Sequence, residues 1–178
     1  MAAVFETERL ALRELQPSDL DFVASMLSDP ELMRFYPKCY TREESAEWIE
    51  RQRRRYATDG HALWLVSLKQ TGEPVGQVGL VRQQVDGARE DEIGYLIARS
   101  HWRRGYAAEA ARATRDHAFL TLGRRRVVSL IRPANLPSQA VARKLDMTVE
   151  RSTCCWELEH LVYALHRDAA TALAGRTD

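Results

Sequence analysis

The residues with the clearest chemical potential stand where a strand-like segment, residues 93–98, leads through the string RSHWRRG into an Ala-rich, helix-like segment. Gly105 opens that helix. The first N–H groups of a helix lack intrahelical partners and carry the positive end of its dipole, and a glycine lets a phosphate approach them without a Cβ in the way. The junction therefore predicts either a pyrophosphate-binding loop or a turn in which the glycine serves backbone geometry alone, and it matches neither the G-x-G-x-x-G fingerprint nor a Walker loop.

Positive charge is concentrated at the same junction. Residues 99–132 hold nine Arg against Glu109 and Asp116, which gives +7, while the rest of the chain carries −6. A local basic stretch in a chain of net charge +1 is a weaker signal for nucleic acid than a basic domain would be. It fits a small polyanionic ligand, or a solvated helix face, equally well. We expect no nucleic-acid partner.

Length and composition bound the class of protein. The 178 residues correspond to one domain, and 45% hydrophobic with 29% charged residues is typical of a globular protein. No apolar run approaches the ~18 residues of a membrane helix, and Glu6, Glu8 and Glu14 stand where a secretory signal would be basic and apolar. We therefore predict a soluble, cytoplasmic protein. Three cysteines and scattered histidines argue against a disulfide scaffold and a metal site.

Turn and capping residues divide the chain into elements that would position the loop. Thr41 with Glu44 predicts a capping box that starts a helix, and Asp59-Gly60 ends it. The predicted elements, in chain order, are a strand over 5–15, helices over 17–27 and 41–58, a three-stranded meander from 61 to 98, a helix over 106–122, a strand over 125–133, a helix over 135–145 and two strands over 147–165 with a break near Glu159. This order indicates an α+β fold with one parallel crossover.

Five ordered segments of the chain resemble the GNAT superfamily of acetyl-CoA-dependent N-acetyltransferases, in its branch of ribosomal-protein N-terminal (alanine) acetyltransferase relatives. The segments are TERLALRELQPSDLDFVASMLSDPELMRF, GEPVGQVGL, EIGYLIARSHWRRGYAAEA, NLPSQAVARKLDM and LVYALHRD. The resemblance implies the GNAT fold, a mostly antiparallel twisted sheet of about seven strands with strands 4 and 5 splayed apart and four helices. It also implies one N-acetyltransferase domain over residues 1–168, followed by a frayed tail over 169–178.

The resemblance implies acetyl-CoA as the cofactor and assigns residues to it. The family signature Q/R-x-x-G-x-G/A falls on residues 102–107, with Trp102 in place of the usual Gln or Arg. Asp146-Met147 likewise replaces the usual Gly-Phe later in the chain. The implied contacts to the pyrophosphate are the amides of Arg103, Arg104, Gly105, Ala107 and Ala108. The pantetheine arm would lie along the strand edge at Tyr95, Leu96 and Ile97, with Asn135 and Ser138 near it. Arg143 and Lys144 would contact the 3′-phosphate, unless these two are merely solvated.

Acetyl transfer to an amine needs a proton acceptor for the amine and a proton donor for the leaving thiolate. Because strand residues alternate in direction, one of the adjacent Asp91 and Glu92 points into the cleft. The resemblance favours Glu92 as base or amine anchor, with Asp91 or water as rivals, unless the residue is only a solvated acid at the strand end. It favours Ser138 as the acid, although helix capping alone also explains Ser138. It places four aromatic residues on the acceptor side, where they wall the pocket or belong to the core: Phe35, Tyr36, Tyr40 and Trp156.

The sequence thus predicts a GNAT-type N-acetyltransferase in which a primary amine attacks acetyl-CoA directly, in a ternary complex. No Cys stands in the cofactor motif, so no acyl-enzyme is expected. The expected acceptor is a protein or peptide N-terminus, with amino acids, polyamines and aminoglycosides as alternatives. A catalytically silent acyl-CoA-binding sensor and, after it, a nucleic-acid-binding module that uses the Arg-rich stretch are the alternatives of other classes. We expect a monomer or homodimer without nucleic acid, membrane or metal, and the acceptor and any role of Cys154-Cys155 stay open.

Overall fold

The computed structural model describes residues 3–167, which form one eight-stranded sheet and five α-helices. The strands are β1 (Phe5–Glu6), β2 (Leu10–Arg13), β3 (Leu63–Leu68), β4 (Pro74–Val85), β5 (Ala88–Ile97), β6 (Arg126–Ile131), β7 (Thr148–Cys155) and β8 (Leu158–His166). The helices are α1 (Leu20–Leu27), α2 (Pro30–Met33), α3 (Arg42–Asp59), α4 (Tyr106–Asp116) and α5 (Leu136–Lys144). The predicted tail over 169–178 lies outside the described residues.

The sheet has the order β1-β2-β3-β4-β5-β6-β8-β7 and is antiparallel except where β5 meets β6. These two parallel strands share a single register pair, Glu92 with Val128. Beyond that pair they separate and leave an opening, called here the β5–β6 gap. The α+β class, the mostly antiparallel sheet and the splayed strands are therefore confirmed, and the splayed pair is the fifth and sixth strand of this numbering.

Local signals explain the best-predicted element, α3. Thr41 accepts a hydrogen bond from the amide of Glu44, and the Glu44 carboxylate accepts one from the amide of Thr41, so the capping box is present. Gly60 ends the helix with φ of 79°, a left-handed conformation that glycine adopts without strain. Both ends of α3 are thus set by sequence, as predicted.

The element count differs from the predicted seven strands and four helices. The strand predicted over 5–15 is divided into β1 and β2, because Thr7 turns the chain by exchanging hydrogen bonds with Leu10. Asp29 caps the extra one-turn helix α2. The closing strands turn at Trp156 and Glu157, both with positive φ, rather than near Glu159.

The hairpin between β4 and β5 is longer than the predicted segments and reaches across the molecule. Asp86 and Gly87 form its turn with φ of 50° and 80°, as a two-residue hairpin turn requires. At the tip, the Asp86 carboxylate accepts hydrogen bonds from the Thr153 hydroxyl at 2.6 Å and from Arg151, both on β7. These hydrogen bonds therefore hold the tip of the hairpin against β7, the edge strand on the far side of the sheet.

Two hydrophobic clusters fix the helices on opposite faces of this sheet. Trp64 and Ile93 pack with Ala110 of α4 in the larger cluster. Leu65 and Leu96 pack with α1, α2 and α3 in the smaller one. The Ala-rich face of α4 lets this helix lie close to the strands. Within residues 3–167, the helices all fall short of the length or apolarity that a bilayer crossing requires.

Candidate active site

A loop with unpaired amides leads into α4. Arg103 and Gly105 both adopt positive φ, 60° and 82°, and Gly105 is the N-cap of the helix. Within residues 3–167, none of the backbone N–H groups of residues 103–108 donates a hydrogen bond. Such a series of free donors at the positive end of a helix dipole binds anions. We call these six amides the anion cradle.

Arg9 supports the cradle from β1–β2. Its guanidinium donates to the carbonyl oxygen of Arg104 at 3.1 Å, forms an ion pair with Glu109 at 2.6 Å and lies 4.8 Å from the ring centre of Tyr106. Burial opposes ionisation of Glu109, but hydrogen bonds from Thr7 and Arg9 lower the pKa of this carboxyl below its usual range. Sequence reasoning missed Arg9, because a contact across 100 residues leaves no local pattern.

An open groove lies beside the cradle. Its lining combines the cradle with basic side chains: Glu8, Arg9, Gly105, Ala108, Glu109, Arg112 and Lys144. Arg112 donates to the carbonyl oxygen of Lys144 at 3.0 Å, which ties α4 to the end of α5. Arg143 instead donates to the hydroxyl of Tyr163 on β8 at 3.2 Å. The structure therefore brings Lys144, rather than Arg143, to the groove.

The strand edge ahead of the cradle is Tyr95, Leu96 and Ile97, which follow the single β5–β6 pair. The Tyr95 hydroxyl donates to the carbonyl oxygen of Ser138 at 2.7 Å, across the gap to α5. The indole of Trp102 donates to the carbonyl oxygen of Ile97 at 2.7 Å. This bond gives the unusual Trp102 a structural role, since it fixes the end of β5 to the cradle loop.

Glu92 lies at the point where the β5–β6 gap opens. Gln83 donates to one carboxylate oxygen at 2.9 Å, and the amide of Leu130 lies 3.4 Å from the other. Burial raises the pKa of Glu92 above its usual range, against the lowering effects of these bonds and of Arg55. A buried carboxyl with a raised pKa is a stronger proton acceptor than an exposed one.

Asp91 points to the opposite face of β5. Its carboxylate lies 3.2 Å from Arg124, 3.7 Å from Arg82 and 3.8 Å from the buried His61. His61 contacts the carbonyl oxygen of Leu80 through Nδ1 at 2.8 Å, and burial lowers its pKa. The structure therefore places Asp91 in a charged cluster behind the sheet, away from Glu92.

Asn135 and Ser138 begin α5 on the other side of the gap. The Asn135 side chain caps the helix by accepting from the amide of Ser138 at 3.2 Å. The Ser138 hydroxyl forms no hydrogen bond within the described part of the chain, and its carbonyl oxygen holds Tyr95. Capping is thus the role of Asn135, whereas the hydroxyl of Ser138 is free to contact a ligand.

The predicted aromatic residues divide into two groups. Tyr36 is 41% exposed as a whole residue, but burial of its hydroxyl and the charges of Glu92 and Tyr40 raise its pKa. Tyr40 packs edge-on against Trp48. Phe35 stacks under the guanidinium of Arg34, and Trp156, 58% exposed, contacts His160 at the β7–β8 turn. Of these four residues, Tyr36 is the one whose hydroxyl is electrostatically coupled to Glu92, and Tyr40 lies beside Tyr36.

Cys155, the last residue of β7, lies within electrostatic range of Glu92. Burial, followed by the negative charges of Asp86 and Glu92, raises the pKa of its thiol. A thiol with a raised pKa is a poor nucleophile at neutral pH. Among residues 3–167 there is also no group of three or more His, Cys, Asp or Glu side chains suited to a metal ion.

Comparison with known proteins gives a consistent result. The model of the acetyltransferase (GNAT) domain matches residues 9–148. The uncharacterized protein YkkB of Bacillus subtilis is 35% identical over 158 residues, which is 88% of this chain and 92% of that protein. An acetyltransferase structure from Agrobacterium tumefaciens superposes with a TM-score of 0.81 at 32% identity, covering 92% of this chain and 94% of that one.

A more distant neighbour shares the fold. The structure of RimL, a ribosomal L7/L12 alpha-N-protein acetyltransferase in complex with coenzyme A, superposes with a TM-score of 0.77 at 19% identity, covering 94% of this chain and 99% of that one.

Proposed function

The chain belongs to the acetyltransferase (GNAT) family, and from that premise we propose that it moves an acetyl group from acetyl-CoA to a primary amine by direct attack in a ternary complex. The observation that carries this proposal is the anion cradle, which ends beside the gap that contains Glu92. We further propose a protein or peptide N-terminus as the acceptor, in the cytoplasm. The activity named for RimL supports this acceptor class.

The residues at the cradle fit the pyrophosphate of coenzyme A. Six free amides supply donors, and the nearest atom to a Cβ built on Gly105 is Arg9 Nη2 at 3.4 Å. The missing side chain thus leaves the groove open in front of those donors. Arg112 and Lys144 would meet further phosphate oxygens, and the edge at Tyr95, Leu96 and Ile97 would pair with the amides of the pantetheine arm. Acetyl-CoA supplies an activated acetyl group as a thioester.

Glu92 is our candidate for the base. Its carboxylate takes the proton from the acceptor ammonium, directly or through one water, and the Gln83 bond keeps it oriented toward the gap. The Ser138 hydroxyl holds the proton that the leaving sulfur needs. Tyr36, near Glu92, would limit the entry of water. The raised pKa of the Cys155 thiol argues against an acyl-enzyme on that residue.

A screen of amine acceptors tests the proposal. Purified protein is given acetyl-CoA with peptides of free N-terminus, amino acids, polyamines or aminoglycosides, and released thiol is measured. We expect at least one amine class to accelerate thiol release above buffer. If no acceptor does so while calorimetry shows that acetyl-CoA binds, the protein is a silent acyl-CoA sensor and the proposed activity is wrong.

A further inference from the structure

The packing of α3 on the sheet places Arg55 opposite Glu92. The indole of Trp48 donates to Gln77 at 2.9 Å, and Gln77 is paired with Leu96, so this helix is held in one register. Glu92 lies four residues before Leu96, about 13 Å along the strand. Arg55 lies seven residues after Trp48, about 10 Å along the helix. Next to Arg55, the hydroxyl of Tyr56 donates to the carbonyl oxygen of Leu63, which is level with Gly94 across β4, so α3 runs from the level of Leu96 toward that of Glu92. Arg55 is therefore close enough to Glu92 for each charge to shift the pKa of the other.

Arg55 has charge but no bonded partner. Within residues 3–167 it forms neither a hydrogen bond nor an ion pair. The carboxylates near it are engaged elsewhere, since Asp59 pairs with Arg82 at 3.0 Å and Glu92 accepts from Gln83. The side chain is also partly buried, and burial lowers its pKa. A partly buried guanidinium that no carboxylate contacts directly is unfavourable unless a ligand supplies an anion.

We propose that Arg55 binds a carboxylate of the acceptor while Glu92 takes its amine, so that the acceptor is an amine with a carboxylate close by. The inference rests on the proposed acetyl transfer and specifies its substrate class. Such an acceptor is either a free α-amino acid or a peptide N-terminus followed by an acidic residue. Arg51 adds a second positive charge near Arg55, which disfavours polyamines and aminoglycosides.

Matched acceptor pairs test this inference. One pair is an amino acid and its amide, and the other is a C-terminally amidated peptide with Asp or Asn at its second position. Each is assayed with wild type, Arg55→Gln and, as the control, Arg54→Gln, an exposed arginine on the same helix. The ratio of acceptor KM values within a pair, compared between variants, cancels the intrinsic difference in amine basicity.

In wild type and Arg54→Gln, we expect the acceptor that carries the carboxylate to have a KM at least tenfold lower than its partner in one of the pairs. Arg55→Gln should lose this difference, while its KM for acetyl-CoA stays unchanged. The pair that responds identifies the source of the carboxylate. If Arg55→Gln instead lowers kcat/KM equally for both acceptors of a pair and shifts the pH profile of kcat/KM, Arg55 is a positioning residue for Glu92 and the inference is wrong. If no amine is acetylated, the proposed function itself fails.

Discussion

Replacement of Gly105 tests the anion cradle, and Gly72 supplies a matched control. Both glycines have positive φ, 82° and 74°, a conformation that costs another residue about 1–2 kcal/mol. A Cβ meets nothing within 4 Å at Gly72, and at Gly105 it meets only Arg9, at 3.4 Å. Gly105→Ala and Gly72→Ala should therefore lower the free energy of unfolding by similar amounts, about 1–2 kcal/mol, and both should fold.

The two variants should differ in cofactor affinity. The methyl group at Gly105 points into the groove beside the free amides, so the pyrophosphate would lose part of its hydrogen bonding, and charge-assisted bonds contribute about 1.5–3 kcal/mol each. We expect the Kd of acetyl-CoA, measured by titration calorimetry, to rise at least tenfold, or about 1.4 kcal/mol, for Gly105→Ala and to stay unchanged for Gly72→Ala. An unchanged Kd in folded Gly105→Ala would refute the cradle.

Predictions for five further variants follow from named contacts. Glu92→Gln should lower kcat by roughly 10² and remove the acidic limb of the kcat/KM pH profile, which in wild type lies above the usual Glu range because burial raises the pKa of Glu92. Ser138→Ala should lower kcat by a similar factor and leave the affinity for coenzyme A unchanged. A wild-type kcat in either variant would contradict the role given to that residue. Tyr36→Ala should raise the acceptor KM but not the acetyl-CoA KM. Glu109→Gln should lower the free energy of unfolding in urea by about 1–2 kcal/mol near neutral pH. Because folding lowers the pKa of Glu109, this difference should begin to shrink below the usual Glu pKa of about 4.3 and disappear only below the lowered pKa of the folded state. His61 is neutral when folded because burial lowers its pKa, so thermal stability should fall below about pH 6.5, and less steeply in His61→Gln.

The sequence predicts features that short-range chemistry determines. Three such features could be predicted, because each depends on residues within one helical turn: the capping box at Thr41, the left-handed cap at Gly60 and the glycine at the start of α4. The turn at Asp86 and Gly87 is also predictable from the sequence, because Asp-Gly favours two-residue hairpin turns. A hairpin turn at this dipeptide requires that β4 extend to Val85 and that β5 begin at Ala88.

Features that depend on tertiary contacts could not be predicted in this way. Arg9 and Arg55 are two of 23 arginines, and only the folded chain shows that one supports the cradle and the other faces Glu92. Trp156 and Glu157 turn the last hairpin without Gly, Asn or Asp, so the turn has no sequence signature. Strand alternation required that Asp91 and Glu92 face apart, but only the position of the helices shows which one reaches the gap.

Mass spectrometry of a single turnover tests the central claim most directly. Excess protein is mixed with acetyl-CoA and the best acceptor from the screen. The masses of the intact chain and of the acceptor are then measured at successive times. The account predicts one acetyl group on the acceptor amine, none on the protein at any time, and a transfer rate roughly 10² lower in Glu92→Gln. An acetyl group that appears first on the protein, or thiol release without an acetylated amine, would contradict direct N-acetyl transfer.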